Sequence, residues 1–303
     1  MKPQFRRYES GDFAKIRQFL IDSYTVAQKP HNITLERWNF GYSMDRSMHN
    51  ISEDLWSQRV GIWEISERIV GTVHGEGPGS FALIQTAPSG VPAETIGEML
   101  TFAEQHIAAE EDGQLTIQVN IPEDDDSRKA VAARRGYRKS HDTEPFAKMP
   151  ITSELPRARL PAGYSIKPGK CFGPDELGRA HARAFGYIDE PTYVRRSSLG
   201  YERMQQTPDY DPALDLYVVS NRGGIASFCT IWLDETNRMG ILEPVGTDPD
   251  HRRKGLGRSV IYECISRVAA RGATAVWVGS EQSFYLSIGF ECVYRHEIWE
   301  KYM

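Results

Sequence analysis

Cysteine is scarce, with four in 303 residues. Cys171, Cys229, Cys264 and Cys292 stand far apart and form no CxxC pair, so neither a zinc site nor a disulfide framework is expected, and all four read as reduced core thiols. No apolar run approaches the ~18–20 residues that a membrane-spanning helix needs. The basic start Met1–Arg7 is followed by no apolar stretch, which argues against a secretory signal and makes the cytoplasm the expected compartment. An excess of basic residues is also missing: 36 Lys and Arg stand against 41 Asp and Glu, a formal net charge of −5. The chain as a whole is therefore not drawn to phosphate backbones, and no nucleic-acid partner is expected. What is present is an ordinary globular composition, 40% hydrophobic and 11% aromatic, which excludes disorder and fibrous repeats. At 303 residues the chain exceeds the usual size of one hydrophobic core, so two domains are expected.

The division falls at residues 149–163, where Pro150, Pro156 and Pro161 interrupt any sustained period. Proline fixes φ and removes a backbone donor, which suits an extended linker. This gives domains at 1–148 and 164–303. The halves echo each other. Each opens on a short strand and a helix (Asp12 to Tyr24; Asp175 to Phe185). Each continues into a hairpin with turns at Ser66–Arg68 and Ser220–Gly223. Each ends on a Gly-aromatic pair, Gly136-Tyr137 and Gly289-Phe290. Corresponding positions lie 153–156 residues apart, which favours duplication. Strands and helices in this order predict an α/β (α+β) class with a mixed central sheet flanked by helices in each half.

The stretch from Gly240 to Ser259 is the most informative. An apolar strand enters a polar loop, and the loop opens a helix with apolar residues at Leu256, Val260, Ile261, Cys264, Ile265 and Val268, the period of a core-facing stripe. A glycine loop at a helix start is an anion cradle: backbone N–H groups point outward and the helix dipole favours negative charge. The spacing is not that of a Walker A loop, and Val260 stands where a dinucleotide fingerprint needs its third glycine. What remains is Arg252-x-x-Gly255-x-Gly257.

Here the sequence resembles the GNAT superfamily of acetyl-CoA-dependent N-acetyltransferases, whose pyrophosphate loop reads Gln/Arg-x-x-Gly-x-Gly/Ala. Two further features carry the resemblance. Pro244 lies inside the preceding strand, where a ladder donor is lost and a bulge or splay is expected. Phe284-Tyr285-Leu286-Ser287-Ile288-Gly289-Phe290, after a strand at Ala275–Val278, resembles the family's late Leu-Tyr-x-x-x-Gly-Phe signature. The resemblance implies two tandem GNAT-like domains, with the catalytic one at 164–303. It implies acetyl-CoA as co-substrate, no metal, and a small-molecule amine as acceptor. It also implies backbone N–H groups from Arg253 to Arg258, through Lys254, Gly255, Leu256 and Gly257, for the pyrophosphate. The side chains of Arg252, Arg253 and Lys254 would add charge and Ser259 a hydroxyl, while Val245, Gly246 and Thr247 would line the pantetheine arm. Tyr285 matches the family's general acid, which protonates the departing thiolate. Glu243 is the candidate base, sharing a strand face with Ile241 and Val245; a glutamate that holds substrate or faces solvent is the equal alternative. Asp234 and His296 are weaker candidates. The asparagine that many members carry two turns before the tyrosine is missing, and Ser280 or Ser283 is expected to cap a shortened helix.

The first half resembles the fold without its chemistry. No Gln/Arg-x-x-Gly-x-Gly/Ala lies between Phe81 and Gln105, and Ala132 stands four residues before Gly136 where Tyr285 stands four before Gly289. A degenerate partner domain and one active site per chain are expected. The acidic run Glu123–Asp126 reads as a solvated helix start, with attraction of a cationic substrate as the lesser reading. The acceptor stays open between a general small-molecule amine and a mycothiol-synthase or aminoglycoside type. A non-catalytic acyl-CoA sensor or scaffold is the rival from another class, and monomer and homodimer both remain open.

Overall fold

The computed structural model describes residues 2–29 and 32–303. The chain forms two compact units. One takes the chain up to Gly41, Ile51–Pro145 and Tyr294–Met303; the other takes Tyr42–Asn50 and Phe146–Val293.

In the first unit strands β1 (Gln4–Arg7), β2 (Val60–Ile65), β3 (Arg68–Glu76) and β4 (Phe81–Thr86) form an antiparallel run. The last of these pairs in parallel with β6 (Gln114–Pro122), which also carries the short β5 (Ala109–Glu111) on part of its length. The core gathers Trp63, Val73, Ile84, Met99, Leu100, Ile117 and Val119 between the sheet and the helix Ala93–His106. Asp125 caps the helix Asp126–Arg134 by accepting the Arg128 N–H at 2.8 Å. The acidic run thus begins a helix, and Asp125 serves there as its cap.

Strand β7 (Arg138–Pro150) crosses the expected domain boundary. In the second unit its residues Ala147–Pro150 pair antiparallel with β12 (Ala275–Val278). β8 (Tyr164–Pro168), β9 (Asp215–Ser220), β10 (Ile225–Asp234) and β11 (Met239–Thr247) run antiparallel, and β11 pairs in parallel with β12. The helix Leu256–Ala270 buries the six residues of its predicted stripe to 1% exposure or less. Each such aliphatic side chain contributes about 1.5–3 kcal/mol on burial. Cys229 and Cys264 lie in this core, whereas Cys171 is exposed and Cys292 half-buried, so only two of the four thiols fit the core expectation.

The last strand, β13 (Glu291–Tyr302), ends in the first unit, where His296 to Tyr302 pair with Pro122 to Thr116 of β6. Each unit therefore receives a strand from the opposite half of the sequence. The division at residues 149–163 is corrected accordingly: Met149 and Pro150 are strand residues, and the unit boundary falls at Pro145/Phe146. The proline run reads locally as a linker, but the backbone donors and acceptors of β12 need a partner, and the end of β7 supplies it. A fragment of residues 164–303 is expected to lack cooperative thermal unfolding, since β12 loses its antiparallel neighbour and residues 296–302 lose theirs. A sharp melting transition for that fragment by circular dichroism would contradict this. Among the described residues no helix is long and apolar enough to cross a membrane.

Candidate functional site

Within the second unit, β11 and β12 pair in parallel only at Met239–Ile241 with Ala275–Trp277. Beyond Ile241 they part. The ladder between β10 and β11 shifts register at the same level, where Cys229 faces Val245 and Ile231 faces Leu242. Thr230 alone then spans Glu243 and Pro244, a β-bulge at the expected proline. The bulge breaks the alternation along the strand. Ile241 is buried and Val245 half-buried in the core margin, while Glu243 is exposed. The Glu243 carbonyl accepts the Trp232 indole N–H at 2.6 Å, which ties the bulge to β10.

Val245, Gly246 and Thr247 carry the strand toward the loop. At Gly246 a side chain would collide with the Phe228 ring and Ala184. The Thr247 hydroxyl pairs with Ser227 Oγ at 2.9 Å. Asp248 then turns the chain, accepting the Asp250 N–H at 3.0 Å. Arg183 from the helix Pro174–Phe185 grips Asp248 through both Nε and Nη2 and reaches Asp250 at 2.8 Å. Burial pushes the Asp248 carboxyl up, but the bonds from Arg183 and the Asp250 N–H outweigh it and hold the acid below its usual range. No motif flagged this ion pair, because its partners lie 65 residues apart.

Gly255 sits at φ +75° as the residue before the helix Leu256–Ala270, a left-handed conformation that side chains rarely adopt. Arg252, Arg253, Lys254 and Arg258 are exposed around it, whereas Leu256, Gly257 and Ser259 are buried. The Arg252 guanidinium donates to the carbonyls of Thr247 at 3.2 Å and Ala184 at 3.0 Å, bracing the loop from behind. The Ser259 hydroxyl donates to the Arg159 carbonyl at 2.6 Å. Both side chains are thus engaged with backbone carbonyls of their own unit. Lys254 donates to the Asp250 carbonyl at 2.9 Å. A Cβ on Gly257 would meet Phe284 and Thr247 Oγ1 at 3.3 Å each, so the helix start, the end of β11 and the helix Ser283–Ser287 close on one point.

Tyr285, from that short helix, is 9% exposed and packs in the core cluster with Cys229, Cys264 and Phe290. Burial raises its phenol above the ordinary tyrosine value, and Cys229 and Glu243 nearby add to the shift. That sensitivity to Glu243 brings the two sequence candidates into one electrostatic neighbourhood. Neither serine caps the helix: Gln282 precedes it, and Ser280 Oγ accepts the Gln282 N–H at 3.3 Å. Asp234 instead closes the β10–β11 turn, accepting from Asn237 N at 3.0 Å and Nδ2 at 2.6 Å. His296 lies in the first unit, fully buried and 3.6 Å from Glu144. On the helix side of β10, His181 stacks on Phe228 and pairs with the Tyr187 hydroxyl. Burial drives the His181 imidazole down to about 3, so it is neutral at physiological pH. A lone histidine in a helix gave the sequence reading no signal.

In the first unit the equivalent parallel pair, β4 and β6, is joined at Phe81–Leu83 with Gln118–Asn120. Past that point the Asn32 side-chain amide donates to the carbonyls of both Ile84 at 2.9 Å and Asn120 at 2.7 Å. Arg128 donates to Ile84 O at 2.7 Å and to Thr86 Oγ1 at 3.0 Å. The gap between these strands is thus bridged by the unit's own side chains.

Residues 212–292 match the family model described as an acetyltransferase (GNAT) domain. A mycothiol acetyltransferase of Thermobispora bispora is 26% identical over 155 residues, which cover 46% of this chain and 51% of that protein. Another, from Saccharopolyspora erythraea, is 31% identical over 132 residues, 42% of this chain and 41% of that protein. The chain thus spans about half the length of these relatives. A solved GCN5-related N-acetyltransferase from Sphaerobacter thermophilus aligns with 99% of this chain and 95% of its own, at TM-score 0.63 and 17% identity. A tandem GNAT protein from the clavulanic acid biosynthesis pathway aligns with 99% of this chain and 98% of its own, at TM-score 0.63 and 13% identity. The loop, the parted strands and the tyrosine helix all fall within or beside the segment that is similar to a GNAT acetyltransferase domain, and the whole chain has the fold of the tandem GNAT protein with which it aligns.

Proposed function

We propose that the chain moves an acetyl group from acetyl-CoA to the amine of a small molecule, by direct transfer in its second unit. The observation that carries this reading is the opening between β11 and β12 past Ile241, which leads from the bulge at Glu243–Pro244 to the Gly255–Gly257 helix start. A pyrophosphate suits that helix start, where free N–H groups and the helix dipole meet an anion. The pantetheine arm would follow the open edge of β11 past Thr247, Gly246 and Val245, which brings the thioester to the bulge.

The acceptor nitrogen attacks the thioester carbonyl carbon, the C–S bond breaks, and the thiolate takes the Tyr285 proton. A phenol whose pKa is raised holds its proton through neutral pH, as an acid must before the bond breaks. The proton lost by the amine goes toward Glu243, the exposed carboxylate on the bulge, directly or through water. Stabilising the cationic amine before attack is the same carboxylate's second use. The name of the relatives favours an acceptor of the mycothiol type as the second reading. Thioester consumption by the purified chain, against a panel of amino sugars, aminoglycosides, polyamines and amino-acid amines, tests the proposal. CoA binding without turnover on any of them would support a sensor in its place.

A single acetyl-CoA site per chain is the expected stoichiometry. Asn32 and Arg128 satisfy the Ile84 and Asn120 carbonyls that parted strands would offer a ligand. Calorimetry on the full chain should give one site, and two sites of similar affinity would contradict this.

A further inference from the structure

Beside the glycine loop the second unit holds a cleft of about 560 Å³. Its walls are the β9–β10 turn at Ser220–Gly223, the Ala162–Tyr164 segment, and Asp250, His251 and Lys254 of the loop. The three walls are tied together. Asn221 N–H donates to Gly163 O at 2.8 Å, and the Tyr164 hydroxyl pairs with His251 Nδ1 at 2.9 Å. The ionisable side chains that line the cleft are Arg222, Lys254, His251 and one acid, Asp250. That acid is already engaged by Arg183 at 2.8 Å. Among the described residues neither Arg222 nor Lys254 makes an ion pair. Two uncompensated cations therefore share a polar cleft, and Lys254 is the residue immediately before the helix-start glycine.

A cleft of this chemistry suits a phosphomonoester, whose two charges match a guanidinium and an ammonium better than one carboxylate does. CoA carries such a group one ribose away from its pyrophosphate. We propose that this cleft holds the ribose 3′-phosphate of CoA, with Arg222 and Lys254 as its cations. The inference rests on the proposed acetyl-CoA reading. Its consequence concerns the donor: the site selects free CoA thioesters over thioesters on a carrier protein, which present pantetheine phosphate but no adenosine 3′-phosphate.

The test compares CoA with 3′-dephospho-CoA by calorimetry, on the full chain and on Arg222→Ala. Arg222 is exposed on a turn, so the variant is expected to melt with the wild type. The wild type should bind CoA about tenfold or more tightly than the dephospho form, as the loss of a charge-assisted contact implies. In Arg222→Ala that ratio should fall to a few-fold, with the affinity for dephospho-CoA unchanged. Rising salt should shrink the wild-type ratio as well. Equal wild-type affinities, or a variant that weakens both ligands alike, would overturn the 3′-phosphate site and leave acetyl transfer standing. No binding of either molecule by the wild type would overturn both readings.

Discussion

Gly257→Glu is expected to abolish measurable acetyl-CoA binding while the chain stays folded. Position 257 is in the first turn of the helix Leu256–Ala270, where the N–H groups have no intrahelical partner and an anion is favoured. A carboxylate there competes for the same N–H groups. Its repulsion of a phosphate at ~4 Å, at an effective dielectric near 20, is about 4 kcal/mol. That corresponds to roughly three orders of magnitude in affinity. An acid at a helix start is itself favourable for the fold, so charge alone does not threaten stability. Steric pressure does act, since a Cβ meets Phe284 and Thr247 Oγ1 at 3.3 Å each. Gly257→Ala supplies the control, because it adds the Cβ without the charge. It should keep most of the affinity if Phe284 yields by a few tenths of an ångström. Melting curves and calorimetry on both variants separate the causes. Ordinary CoA affinity in a folded Gly257→Glu protein would show that the anion sits elsewhere.

The parts of this molecule that were legible in the sequence are those whose cause is local. The stripe from Leu256 to Val268 follows from helical period, and all six residues are buried. Pro244 cannot donate to a ladder, and the register shift lies opposite it. A glycine at the helix start answers a backbone requirement at φ +75°, which the spacing of the loop already encoded. Pairing between distant strands was not legible. A strand's pattern records which faces are buried but not which neighbour covers its edge. The residues after Pro145 and after Val293 therefore read as the ends of their own halves, although each ends up in the opposite unit. Arg252 was legible as a member of a basic loop, yet its rotamer was not. The guanidinium finds the carbonyls of Thr247 and Ala184, and the second lies 68 residues away in sequence. Asn32 carried no signal either, since one amide among many shows its use only when two strands part around it.

Tyr285→Phe is expected to lower turnover by roughly 10²–10⁴-fold, the usual contribution of a positioned acid. The substitution keeps the ring and its edge-on packing against Phe284 and Phe290, with centroids 5.2 and 5.9 Å away. Among the described residues the Tyr285 hydroxyl makes no hydrogen bond, so stability should change by less than about 1 kcal/mol. Affinity for acetyl-CoA should also hold, because the proton is needed as the C–S bond breaks and not in the ground state. The expected pattern is a fall in kcat with KM and melting temperature nearly unchanged. The pH profile adds an independent reading. Burial, with Cys229 and Glu243, raises the phenol's pKa, so the acid form persists past the ordinary tyrosine range. Wild-type turnover should therefore show no alkaline decline below about pH 10. A pre-steady-state burst identifies any case in which product release limits the rate and hides the chemical step. If single-turnover chemistry is as fast in Tyr285→Phe as in the wild type, another group protonates the thiolate, and the tyrosine is a core aromatic that happens to face the bulge.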